Sequence, residues 1–145
     1  MSDQPLTDDE QTARRAAVAK IMPDTPYLKW LGIEFTSYEP DSVSARLPFK
    51  ADLTNDGTHY HGGVTAAVID TTGAAAAWSG HDFNKGVRAA TVGMSINYVG
   101  SCKGSDMLCH ARVISRRKDL IFTEITATDA AGAPVAHGIQ TYRIA

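Results

Sequence analysis

The stretch HGGVTAAVIDTTGAAAAW, residues 61–78, decides the reading of this chain. Gly62 and Gly63 open it, and an alanine-rich run follows that is apolar nearly all the way round. A helix that is apolar on every side is a buried helix. Asp70 sits in its middle, and a carboxylate is costly in a core unless it is paired or used. The opening carries a second sign. Backbone N–H groups in the first turn of a helix lack intrahelical partners and face the positive end of its dipole. A glycine pair there lets a carbonyl or phosphate oxygen approach closely. One segment therefore offers an oxyanion site at Gly62 and a base or nucleophile at Asp70.

Working outward, Thr7-Asp8-Asp9-Glu10 matches a capping box and predicts a helix running to about Met22, ahead of Pro23. Thr25-Pro26 opens a short helix, YLKWL, which Gly32 stops. Residues 42–49 alternate with period two and place Val43, Ala45 and Leu47 on one face of a strand. A polar loop, KADLTNDGTHY, leads to a helix over 62–79. Four strand-like runs follow, near 88–99, 105–117, 120–129 and 133–144, with DAAG at 129–132 as a hairpin turn. Consecutive strands joined by short turns imply an antiparallel sheet, and one long helix remains to cover a face of it. The expected class is α+β: a curled sheet of five or six strands wrapped around one helix. A helical extension over 1–25 precedes a single domain over 26–145.

Composition narrows the function. The 145 residues carry a formal net charge of −2, which argues against nucleic acid or an anionic membrane as partner. Cys102 and Cys109 have no metal-ligand spacing and form no disulfide framework. His59, His81, His110 and His137 show no paired spacing, so no metal is assigned. The N-terminal MSDQPLTDDEQ is acidic and lacks the features of a secretory signal. The apolar run at 64–78 is shorter than the ~20 residues that span a bilayer. A cytoplasmic protein is the expectation.

Asn55, then His61-Gly62-Gly63, then Asp70 resembles the signature of the hotdog-fold acyl-CoA thioesterases of the PaaI-like type. In that family an Asn lies six positions before the His, and an acidic residue follows the first Gly by eight, as here. ATVGMSINYV, residues 90–99, resembles the family's first long strand after the helix, with Thr91 where members carry Ser or Thr near the carboxylate. DLIFTEITATDAAGAPVAHGIQTYRI resembles its closing hairpin. The chain departs from the pattern at Gly93, at Val99-Gly100-Ser101, at Tyr60 and at Arg116-Arg117-Lys118. These departures bear on substrate choice and nucleotide contacts more than on the reaction.

The resemblance implies thioester hydrolysis, with CoA as part of the substrate and no metal or redox cofactor. The Gly62 N–H would bind the developing oxyanion, and Asp70 would activate water or attack the carbonyl itself. Asn55 would orient the water, Thr91 would hold Asp70, and His61 would fix the loop presenting Gly62 and Gly63. Gly73 and Ala74 would leave room for an acyl or aryl group. Tyr98 would line the pantetheine channel, and Arg116, Arg117 and Lys118 would hold the nucleotide phosphates. Geometry adds a constraint. Eight residues on one helix separate Gly62 from Asp70 by about 12 Å at 1.5 Å per residue. One subunit cannot bring both to one reacting centre, so a homodimer with composite sites is expected, with a dimer of dimers open. Two other readings stay in view: a hotdog dehydratase or hydratase using His61, and a non-catalytic acyl-CoA binding module.

Overall fold

The computed structural model describes residues 4–145, so Met1, Ser2 and Asp3 of the expected extension lie outside the described residues. Helices α1 (Asp8–Ile21), α2 (Pro26–Leu31) and α3 (Gly62–Ser79) combine with strands β1 (Glu34–Glu39), β2 (Ser42–Leu47), β3 (Ala89–Tyr98), β4 (Met107–Arg117), β5 (Leu120–Asp129) and β6 (Pro134–Ile144). The strands form one antiparallel sheet in the order β1-β2-β4-β5-β6-β3.

Local chemistry sets the element ends. At α1 the Thr7 hydroxyl accepts from the Glu10 N–H at 3.3 Å, and the Glu10 carboxylate accepts from the Thr7 N–H at 2.8 Å. Two orphan donors are thereby satisfied. Gly32 ends α2 at φ 82°, a conformation that suits glycine. β1 is the strand that alternation did not reveal. A bulge between Phe35 and Ser37 brings Phe35 and Tyr38 to the same half-buried side although they are three residues apart.

The sheet curls around α3. Val43, Ala45 and Leu47 of β2, Met107, Cys109 and Ala111 of β4, and Ile125 and Ala127 of β5 are buried in one cluster with Val68, Ile69, Ala75 and Ala76 of α3. Burying a side chain such as Leu47 or Ile69, both 0 % exposed, stabilises the fold by roughly 1.5–3 kcal/mol. Gly138 lets β6 approach α3: a Cβ there would stand 3.1 Å from Ile69 Cγ2.

α1 fastens onto the loop that leaves α3. Buried Gln11 donates to Asp82 Oδ1 at 2.7 Å and accepts from the Phe83 N–H at 2.9 Å. Arg15 Nε donates to the His81 carbonyl at 3.0 Å. At the opposite extreme stands β3, an edge strand exposed along nearly its whole length.

Candidate active site

The entry to α3 is held by its own side chains. His61 is the N-cap, and its Nδ1 accepts from the Gly63 N–H at 2.8 Å. That nitrogen is therefore unprotonated, and the neutral ring carries its hydrogen on Nε2. A Cβ on Gly63 would stand 2.8 Å from Nδ1, so the capping geometry requires glycine there. Behind it, the His61 N–H donates to the Leu53 carbonyl at 3.0 Å, and Tyr60 and Leu53 are buried. The Gly62 N–H finds no acceptor among the described residues and stands at the positive end of the helix.

Asn55 lies in the loop feeding this cap, where its N–H donates to the His59 carbonyl at 2.9 Å. Its exposed side chain finds no partner among the described residues. Asp56, beside it, accepts from the His59 and Thr58 N–H groups and from the His59 ring, which holds its carboxyl well below the usual carboxylate range.

Asp70 is half-buried on the face of α3 toward β6 and β3. Its Oδ1 accepts from Thr91 Oγ1 at 2.7 Å and from Gln140 Nε2 at 2.6 Å. Gln140 Nε2 also donates to the Asp70 carbonyl at 2.9 Å. Oδ2 has no partner among the described residues. Gln140 was not among the residues expected at the site. A signal for it exists: within β6 it stands in phase with buried Ala136, Tyr142 and Ile144, a large polar residue at an inward position.

β3 serves both ends of this arrangement. Tyr98 Oη donates to the Gly62 carbonyl at 3.0 Å, while Thr91 reaches Asp70. Seven residues apart, the two would face opposite sides of a regular strand. A bulge between Thr91 and Gly93 resets the phase and turns both toward α3.

Three expectations are corrected. The space beside Gly73 is taken by protein: a Cβ there would stand 2.5 Å from Gln140 Oε1 and 3.1 Å from Thr123 Oγ1, so this position leaves no room for an acyl group. Ala74 is buried in a second cluster with Ala77, Ile121, Tyr142 and Ile144, and so is not an open pocket wall. Arg116, Arg117 and Lys118 do not form one basic patch. A bulge between Val113 and Ser115 turns Arg116 inward, where Nη2 donates to Asp41 Oδ1 at 2.7 Å and to the Ala77 carbonyl at 2.9 Å. Arg117 and Lys118 stay exposed at the β4–β5 turn, Lys118 with φ 57°.

A rolled antiparallel sheet around one helix, with an open N–H at the mouth of the helix and a carboxylate two turns along it, defines a hotdog fold. The family model for the Thioesterase superfamily matches residues 57–136. Human acyl-coenzyme A thioesterase 13 is 30% identical over 111 residues, covering 75% of this chain and 77% of that protein. The chain belongs to the thioesterase superfamily. Among solved structures, the PaaI protein of the E. coli phenylacetic acid degradation operon superposes with a TM-score of 0.80 at 20% identity, covering 93% of this chain and 96% of that one. A hypothetical thioesterase of Streptococcus pneumoniae with coenzyme A gives 0.69 at 17% identity, covering 78% and 85%. These two likenesses establish the fold.

Proposed function

We propose that this protein is an acyl-CoA thioesterase that hydrolyses its substrate to a free acid and CoA. The observation that carries the reading is the state of Asp70: Oδ1 is fixed by two donors, and Oδ2 is left open. The name of the human relative and the coenzyme A in the pneumococcal structure support the substrate class.

In the proposed reaction the thioester oxygen accepts from the Gly62 N–H, a contact of the kind that contributes about 10²–10³ in rate. Asp70 Oδ2 takes a proton from water as the water oxygen bonds to the carbonyl carbon. The C–S bond then breaks, and the CoA thiolate departs and is protonated. Attack by Oδ2 itself, giving an anhydride that water opens, uses the same geometry. The open Asn55 amide orients the water. No metal or redox group takes part.

Both groups belong to the single helix α3, about 12 Å apart along its axis, so the site is completed by a second copy. The exposed edge strand supports that assembly. Val92 is 60 % exposed and Tyr98 54 %, and a bare edge of this length invites pairing with its own copy. A two-fold homodimer sets the Asp70 of each subunit near the Gly62 of the other, and dimers can pair further. Tyr98 then borders the thiol arm of the substrate. Arg117 and Lys118 are the exposed cations offered to its phosphates. No helix among the described residues is long and apolar enough to cross a membrane. The hydratase alternative is disfavoured because His61 Nδ1 is engaged as a helix cap.

The test is thiol release across a panel of aliphatic and aryl acyl-CoAs, wild type beside Asp70→Asn. The expected result is a fall in kcat of about 10³-fold with the dimer intact. Equal turnover by the variant rejects Asp70 as the catalytic residue. Tight acyl-CoA binding without any wild-type turnover makes the protein a binding module.

A further inference from the structure

We infer that Gln140 is a positioning residue for Asp70, and that position 73 is glycine so that Gln140 can reach it; this rests on the thioesterase reading above. Gln140 is 2 % exposed, so its amide was taken out of water on folding. A buried amide is costly unless its hydrogen-bonding groups are engaged. Its Nε2 bonds the Asp70 carboxylate at 2.6 Å and the Asp70 carbonyl at 2.9 Å. One nitrogen thereby ties the side chain of Asp70 to its own backbone and fixes the rotamer. Its Oε1 lies 3.4 Å from Thr123 Oγ1, on the neighbouring strand β5.

Two donors converge on Oδ1, but they hold it differently. Thr91 makes a single bond from β3, whereas Gln140, buried on β6 between β5 and β3, bonds the carboxylate and the carbonyl of Asp70 with one nitrogen. The firmer hold on Asp70 is therefore Gln140. Both donors lie on one carboxylate oxygen, so the other is presented in a single direction. A catalytic group misplaced by 1 Å loses on the order of 10² in rate.

Gly73 follows from the same contact. It sits one turn along α3 from Asp70 and is buried, a place where alanine would be the better helix former. A Cβ there would stand 2.5 Å from Gln140 Oε1 and 3.0 Å from its Cδ. The glycine weakens the helix slightly and admits the amide to the carboxylate.

The experiment measures kcat, KM and Tm of the full chain on its best acyl-CoA for Gln140→Met, Gly73→Ala, Gln140→Ala and the double variant Gly73→Ala/Gln140→Ala, with Asp70→Asn as control. Methionine keeps length and apolar volume and removes the donor. The expected result for Gln140→Met is a fall in kcat of about 10- to 100-fold with KM within about twofold. Gly73→Ala is expected to lose kcat alone, yet to add no loss to Gln140→Ala, because its methyl then enters vacated space. That non-additivity is the signature of one shared contact. Wild-type kcat in Gln140→Met, or additive losses in the cycle, overturns the inference while the thioesterase reading stands on an inactive Asp70→Asn. Should Gln140→Met fail to fold, Gly73→Ala, which retains Gln140, decides through its own kcat. Wild-type turnover by Asp70→Asn overturns both readings.

Discussion

The two ends of α3 are built oppositely. Along its N-terminal half the Gly62 N–H and Asp70 Oδ2 are left without partners among the described residues, and the strand beside them is exposed. At its C-terminus the carbonyls are engaged. Ala76 accepts from Ser79 Oγ at 2.8 Å, Ala77 from Arg116 Nη2 at 2.9 Å, and Trp78 from the His81 N–H at 3.1 Å. Arg116 adds a positive charge at the negative end of the dipole and pairs with Asp41 through Nη2, while its buried Nε has no hydrogen-bond partner among the described residues. Trp78, His81 and Phe83 pack against one another, and α1 is bonded over them. One end keeps hydrogen-bonding capacity for a ligand, and the other uses it on the fold.

That contrast is broken most forcefully at Asp70. Asp70→Asn is expected to lower kcat by about 10³-fold while Tm holds or rises, since the amide keeps the shape and removes a partly buried charge. The mirror experiment is Arg116→Met. It removes the Asp41 pair and the Ala77 carbonyl cap, and it leaves Asp41, about half exposed, to water. Discounted for that exposure, the loss is about 1–2 kcal/mol, or roughly 3–6 °C in Tm. Thermal melts and thiol release on the same samples read both variants. Activity lost in proportion at both ends would erase the distinction.

The sequence made the helix legible because its two signals, opening glycines and one carboxylate in an apolar run, are local. The limits of β3 to β6 fall within two residues of those expected, since alternation and turn residues are local too. The bulges escaped. At Val92, at Ile114 and between Phe35 and Ser37 one strand carries an extra residue, and each is set by pairing with a neighbour rather than by its own pattern. Their consequences are large. The first turns Thr91 and Tyr98 to one side, the second takes Arg116 out of the basic run, and the third gives β1 its inward face. Gln140 escaped for a related reason: its meaning depends on Asp70, seventy residues away.

Tyr98→Phe sharpens the open end. Tyr98 Oη holds the Gly62 carbonyl at 3.0 Å, and the ring is half exposed, so the change removes one neutral hydrogen bond and little packing. A loss of roughly three- to tenfold in kcat/KM is expected, without a change in Tm beyond a degree or so. An unchanged kcat/KM would show that Gly62, whose N–H is the proposed oxyanion donor, is held in place by the helix alone.

The smallest effect belongs to His81 at the closed end. Its ring is 4 % exposed, Nε2 lies 2.8 Å from the Gly86 carbonyl, and the bond requires the proton on that nitrogen. Burial pushes the imidazole below its ordinary 6.5, while the Gly86 bond acts the other way and Arg116 adds a little to the lowering. The unfolded chain therefore binds a proton at pH values where the folded one does not. The contribution to stability is fully present above about pH 6.5 and is lost as the pH falls through the lowered folded value. Tm should decline between pH 7 and 5, and His81→Gln, which keeps a donor near Gly86 and cannot titrate, should flatten part of that slope. Carboxylates such as Asp56, Asp82 and Asp119, all held below their ordinary values, lose their contributions at lower pH. The slope between pH 7 and 5 that differs between wild type and His81→Gln is then the part that belongs to the closed end of α3. If the two melting curves run parallel across that window, the ring is already free to accept a proton in the folded state, and the closed end is less closed than its packing indicates.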